Sequence, residues 1–196
     1  MMTPWGYEMA TLTPIVSVAS FNTMTGSVYA TNPRVETALL AASQAIRNRC
    51  GWHISPSATC TASPNGGSNM LRLPAGYISG ITSITEDGAV IQATDYEWRR
   101  DGLVRRKEHM WTPNWNGLTV VYTAGYDANA APDLTEAVRA ITEGVLSVAA
   151  GVSSESADGV TISYASSASS IANALVGSGA YDTMLAPYKV VNAHAT

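Results

Sequence analysis

The sequence predicts an α+β fold, a small helical bundle of two long helices packed together with an antiparallel β-sheet of hairpins inserted between them and extended arms at the termini. Three observations predict it. Segments 32–51 and 133–150 carry apolar stripes at helical spacing with start and stop signals at their ends. The stretch between them is a series of short β-prone runs separated by Asp-Gly and Asn-Gly turns. Residues 1–31 and 152–196 are punctuated by Thr, Pro and Ser and show neither pattern for long.

The first long helix is the best defined. Asn32 suits the N-cap and Pro33 the first helical position, where a missing N–H costs nothing. Glu36 puts a carboxylate in the first turn. Val35, Leu39, Ala42 and Ile46 form one apolar stripe, Arg47 and Arg49 bring cations to the last turn, and Gly51 stops the helix. Trp52, His53 and Ile54 leave it in an extended segment. In the second helix Asp133 and Glu136 make a pattern like a capping box, and Leu134, Val138, Ile141, Val145 and Ala149 form the apolar face. Gly144 in its middle costs about 1 kcal/mol against Ala and marks close helix approach. Leu39, Ile46, Trp52, Val138, Ile141 and Val145 are the expected core, with Trp52 at the corner where helix hands over to sheet.

The remaining elements follow in order. Residues 1–31 form an N-terminal arm with a short strand at 15–18 and a helical turn at 20–25 ended by Gly26. Residues 55–69 are turn formers almost throughout and predict a surface loop. Leu71 and Leu73 flank Arg72 in a short strand. Ile78, Ile81 and Ile84 lead to a turn at Glu86-Asp87-Gly88, with Val90 and Ile91 returning. A hairpin joins 95–99 to 103–106 through Asp101-Gly102, and Asn116-Gly117 opens the strand 118–123. In 152–196, 159–165 reads as a strand, 166–178 is ambiguous, 181–188 is a short helix broken by Pro187, and 190–196 is a tail.

Chemistry is sparse. His53, His109 and His194 make no metal-ligand spacing, and Cys50 with His53 lacks an orienting third group, so neither a metal site nor a catalytic residue is nominated. Asp95 and Glu97 share a strand face but alternate with Tyr96 and Trp98, and they read as a polar hairpin rather than a glycosidase pair. No phosphate-cradling or nucleophile-elbow motif is present, and no cofactor is expected. Cys50 and Cys60 fit either a pair or two free thiols. No apolar run approaches the ~20 residues that span a membrane, and the first residues lack a signal-peptide pattern, which predicts cytosolic synthesis. Charged residues are only 13%, which suits either a secreted protein or a subunit that covers much of its surface with neighbours, and the net charge of −4 argues against a polyanion binder.

One charge asymmetry stands out. Arg99, Arg100, Arg105, Arg106 and Lys107 are five of the eleven cations and lie on one hairpin. They fit phosphate contact beside Trp98, Trp111 and Trp115, a solvated ribbon paired with Asp95, Glu97 and Glu108, or docking onto an acidic face of another copy.

The helix Val35-Glu36, Leu39, Ala41-Ala42-Ser43, Ile46-Arg47, Cys50-Gly51-Trp52-His53-Ile54 resembles the head–tail connector (adaptor) proteins of long-tailed bacteriophages, the actinobacteriophage type in particular. Leu71-Arg72-Leu73-Pro74, Ile81-Thr82-Ser83-Ile84, the run 118–126 before Pro132-Asp133-Leu134, and a late Val-Thr-Ile-Ser-Tyr ahead of Leu185-Ala186-Pro187-Tyr188-Lys189 continue it over residues 33–189. The resemblance implies a structural virion protein and no enzyme: one adaptor domain over 1–196, with an arm (1–31), a helix–sheet–helix core (32–151) and a C-terminal segment (152–196). It implies a homo-oligomeric ring, twelvefold in relatives, beneath the portal protein at the virion neck, assembled in the host cytoplasm. The ring extends the channel for genomic double-stranded DNA and presents the surface for stopper and tail proteins, with no cofactor and no membrane. The expected partner or channel contacts are the cationic hairpin and, in the C-terminal segment, Tyr164, Tyr181, Tyr188 and Lys189. The competing reading is a nucleic-acid- or carbohydrate-binding β module.

Overall fold

A computed structural model describes residues 1–127, 130–147, 154–157, 160–163 and 167–190. In chain order the elements are β1 (Tyr7–Met9), α1 (Val18–Met24), α2 (Val35–Cys50), β2 (Ala58–Ala62), β3 (Met70–Arg72), β4 (Ile78–Glu86), β5 (Ala89–Ile91), β6 (Tyr96–Trp98), β7 (Leu103–Arg106), β8 (Leu118–Ala124), α3 (Pro132–Ser147), β9 (Ser154–Ala157), β10 (Val160–Ser163), α4 (Ala168–Gly177) and α5 (Asp182–Leu185). The fold is α+β, as expected. The chain groups into two compact units: Met1–Leu12 with Gly51–Asp127 and 188–190, and Thr13–Cys50 with the described residues of Ala128–Pro187.

The helical unit is built on α2. Asn32 caps its first turn, with Oδ1 accepting from Arg34 N–H at 2.9 Å, and Val35 opens the regular helix. The buried face is rich in small residues: Ala38, Ala41, Ala42, Ser43 and Ala45 alternate with Leu39 and Ile46. Small side chains let neighbours approach closely, and α3 and α4 both pack on α2. The two cations of the last turn do more than meet the helix dipole. Arg47 is 2% exposed and donates to Thr13 O at 2.7 Å, and Arg49 forks onto Asp182 at the start of α5 at 2.6–3.0 Å. Val138, Ile141 and Val145 of α3 are fully buried. Pro132 opens α3, one residue before Asp133, and Glu136 pairs with Arg139. Gly144 faces α4: a Cβ there would lie 2.8 Å from Leu175 Cδ1. The ambiguous 166–178 thus contains a helix, capped by Ser167 Oγ accepting from Ser170 N–H at 3.1 Å. The predicted strand at 15–18 is absent. Ile15 and Val16 are buried without a strand partner, and Ser17 caps α1.

The sheet unit contains a five-stranded antiparallel sheet in the order β1-β2-β8-β4-β5 and a three-stranded sheet in the order β3-β7-β6. Strand β8 is central, and Leu118, Val120, Tyr122 and Ala124 point alternately inward along it. Segment 55–69 is not all loop. Ala58–Ala62 pairs with β8 on one side and β1 on the other, and Cys60 is fully buried opposite Tyr122. Thr, Ala and Ser read as turn formers in sequence, but their small side chains fit an interior strand once partners flank it. The three turns fall where expected. Asp87-Gly88 takes φ of 47° and 84°, and Gly102 takes 84° with Ala75 O too near for a Cβ.

Two clusters hold this unit. Trp52, fully buried, donates Nε1–H to Tyr188 O at 2.6 Å and lies near Tyr126, which stacks on Tyr77 at 4.6 Å and meets Tyr188 edge-on at 5.4 Å. Tyr7 Oη accepts from His53 N–H at 2.9 Å and stands 2.9 Å from His53 Nδ1, while Nε2 is 3.0 Å from Ala124 O. A carbonyl can only accept, so Nε2 carries the proton, and Nδ1 accepts from the tyrosine hydroxyl. Cys50 and Cys60 are buried and form no disulfide, and burial pushes the Cys60 thiol up to about 12. Among the described residues no helix is long and apolar enough to cross a membrane, and no group of three or more His, Cys, Asp or Glu could hold a metal ion.

Candidate interaction surface

The cationic hairpin, β6–β7, lies in the three-stranded sheet. Its register places Met70, Arg105 and Glu97 in one row, with Arg72 and Leu103 in a neighbouring row. Side chains two residues apart share a face, so Met70, Arg72, Leu103, Arg105 and Glu97 stand together. The opposite face carries Leu71 and Val104, both buried.

The five hairpin cations do not act alike. Arg105 pairs with Glu97 at 2.7 Å with both side chains over half exposed, and Arg99 pairs with Asp101 at 3.3 Å. Exposed pairs of this kind contribute about 0–1 kcal/mol. Arg106 is different: it meets Glu86 at 2.6 Å, both side chains under 15% exposed, and lies 4.9 Å over the buried Trp111 ring. Glu86 also accepts from Thr112 N–H at 2.7 Å. Arg106 is therefore a bracket between β4, β7 and the 111–112 segment of the β7–β8 connection. Arg100 and Lys107 are exposed and have no ion-pair partner among the described residues. The observed carboxylate partners are Glu97, Asp101 and Glu86, whereas the sequence suggests Asp95, Glu97 and Glu108.

The C-terminal tyrosines also separate. Tyr188 is 7% exposed and its ring belongs to the aromatic cluster around Trp52, so it packs within the chain itself. Tyr181 and Lys189 are half-buried. Tyr164 lies outside the described residues.

Two grooves open on the shared face. One, of about 570 Å³, is lined by Met70, Glu97, Trp98, Arg99, Leu103 and Arg105. The second, of about 680 Å³, runs between the three-stranded sheet and the 63–68 loop, with Trp5, Pro64 and Pro74 among its walls, and shares Met70 and Leu103 with the first. Trp, Met and Arg are the residue types enriched at protein interfaces. Sequence reasoning missed Met70, Leu103 and Arg72 as surface residues. Alternation along β3 and β7 signals their shared face, but only the strand register brings them side by side. Trp115 is 93% exposed and Met110 72%.

The same fold occurs in chains from gene transfer agent particles. A chain in the neck of a native gene transfer agent particle, computed with C12 symmetry, aligns with a TM-score of 0.64 at 16% identity over 97% of this chain and 98% of its own. A chain in the neck of an empty particle, computed with C6 symmetry, gives 0.62 at 17% identity with the same coverage. A chain of the native gene transfer agent virion gives 0.56 at 16%, over 86% and 93%. Comparison with curated proteins finds no match. The family model for head completion proteins matches residues 14–176, so the chain belongs to the head completion protein family. It is a structural head–tail connector protein, as the resemblance implies.

Proposed function

We propose that the chain assembles as a ring of twelve copies in the virion neck, beneath the portal. The ring extends the channel for genomic double-stranded DNA and offers the docking surface for stopper and tail. The observation that carries this reading is the end-to-end alignment, 97% of this chain and 98% of the other, with a neck chain computed with C12 symmetry. Membership of the head completion family supports it. The test is the native mass of the purified protein alone and mixed with a portal ring. Twelve copies per portal support the proposal; a chain that stays monomeric and is not recruited overturns it.

Within this reading, the segment from 152 to 190 contacts the portal, and Arg99, Arg100, Arg105 and Lys107 contact an adjacent copy or the channel. Leu185 and Tyr188 are buried, so truncation at Gly151 would confuse docking with folding. Tyr181→Ala is the cleaner probe, since Tyr181 is half-buried outside the aromatic cluster. Unchanged portal binding by that variant argues against the C-terminal contact. Reversal of Arg100 and Lys107, both exposed, tests the hairpin by assembly yield and DNA retention.

A further inference from the structure

We propose that Trp115 of one copy inserts into the groove between the 63–68 loop and the three-stranded sheet of the next copy, a head-to-tail contact between identical chains. The proposal rests on the ring reading above and names the residues that join its members.

Trp115 is 93% exposed, yet the turn that carries it is rigidly built. Gly117 N–H donates to Asn114 O at 3.0 Å, and Asp87 N–H donates to Gly117 O at 2.7 Å. Asn114 Nδ2 donates to Asp87 Oδ1 at 3.1 Å, and Asn116 takes a left-handed φ of 56°. An indole on a fixed turn loses little conformational freedom on docking, and a Trp side chain buries about 150–250 Å² when covered. Protruding, pre-ordered Trp residues are typical interface anchors.

The groove is a matching receptor. Its volume of about 680 Å³ takes an indole with room to spare, and Trp5, Pro64, Pro74 and Leu103 give it apolar walls. Arg72 also lines it, with a buried Nε that has no hydrogen-bond partner and no ion pair among the described residues. On the other side of the contact, the exposed Asp87 stands beside Trp115 and has no cationic partner among the described residues. The knob thus brings a carboxylate and the groove brings a guanidinium. The same guanidinium suits the indole face, as Arg106 over Trp111 at 4.9 Å illustrates within the chain.

Placement decides between pairing and propagation. In the sheet order β1-β2-β8-β4-β5 the groove is on the β1–β2 side, framed by Trp5, Gly6 and the loop after β2. The Trp115 turn is fastened to the β4–β5 hairpin by Asp87. The segment before it, 111–113, packs on the 63–68 wall, where Gly67 N–H donates to Trp111 O at 2.9 Å, but Trp115 does not line its own groove, so a copy that engages one neighbour with Trp115 keeps its groove for another. Such heterologous contacts close into a ring.

The test uses the full chain with one cysteine at Asn116→Cys, which leaves the Trp115 indole in place, and one at Asn65→Cys, an exposed residue of the groove wall. Cys50 and Cys60 are buried and do not compete. After assembly on the portal, oxidation of the double variant is expected to give a covalent ladder on a denaturing gel, while each single variant stays at chain mass. Full-mass rings without a ladder overturn the contact and leave the ring reading intact. Failure of the wild-type chain to form a ring overturns both. As a second measurement, Asp87→Lys and Arg72→Glu are each expected to weaken assembly by about tenfold or more, with most of the loss recovered when they are combined. Additive losses overturn the proposal.

Discussion

The helical unit and the sheet unit are stabilised by opposite means. The first brings backbones close with small residues: Ala38, Ala41, Ala42 and Ala45 on α2, and Gly144 on α3 beneath Leu175. The second fills space with large rings, and Trp52, Trp111, Tyr7 and Tyr122 are among its largest fully buried side chains. Polar groups differ as well. In the helical unit buried Arg47 reaches the Thr13 carbonyl ahead of α1, and Arg49 forks onto Asp182 at the start of α5. In the sheet unit, buried polar atoms meet through long-range register, as Tyr7 meets His53. The lesson is that one unit should tolerate lost volume better than added volume, and the other the reverse.

The largest expected break is Trp52→Ala. It removes the ring at the centre of the aromatic cluster and the Nε1–H bond to Tyr188 O, and should cost about 3–5 kcal/mol in urea unfolding. A cost below about 1 kcal/mol would show that the cluster does not hold the sheet unit. In the helical unit the corresponding break is additive. Gly144→Leu should cost about 1–3 kcal/mol by overpacking against Leu175, and Leu175→Ala in the same chain should return part of it. Gly144→Ala should be nearly neutral, because Leu175 presents a flexible tip and Ala gains about 1 kcal/mol of helix propensity. A large loss from Gly144→Ala would mean that the α3–α4 approach cannot relax.

Two tyrosines of the sheet unit sharpen the polar side of the comparison. Tyr7→Phe leaves His53 Nδ1 and His53 N–H without the hydroxyl, and should cost about 1–3 kcal/mol. Tyr122 is fully buried with a hydroxyl that has no hydrogen-bond partner among the described residues, and burial, then Cys60 and Tyr7, push its ionisation upward. Tyr122→Phe should therefore be neutral or stabilising by up to about 1 kcal/mol. Equal losses from the two substitutions would contradict the hydrogen-bond assignment. The smallest effect belongs to Glu136, held below the usual carboxylate range by its hydrogen bond to Arg139. A lowered folded value means stability that is present above the unfolded value and lost as pH falls through the folded one. The side chain is exposed, so Glu136→Gln should cost only about 0.2–0.5 kcal/mol at neutral pH and nothing in acid.

What the sequence determined by itself are the features whose cause is local. The turns at Asp87-Gly88, Asp101-Gly102 and Asn116-Gly117 are legible because each holds Asp, Asn or Gly where positive φ is needed, at Asp87, Gly88, Gly102 and Asn116. The two long helices are legible because apolar spacing, Asn32 and Gly51 act within a few residues, and the ordered series from Val35 to Lys189 carries the family resemblance. Tertiary structure decided whatever depends on a distant partner. Ala58–Ala62 is a strand because β1 and β8 flank it, against its own composition. Arg106 turns from Asp95 and Glu108 to Glu86, twenty residues away, because the β7 register delivers it there. Tyr188 becomes core because its carbonyl accepts from Trp52 and its ring joins the aromatic cluster, and Trp115 is 93% exposed on a turn whose Asn114 bonds Asp87. Backbone preference is written residue by residue, but a side chain's neighbours are set by register and packing, which no local pattern contains.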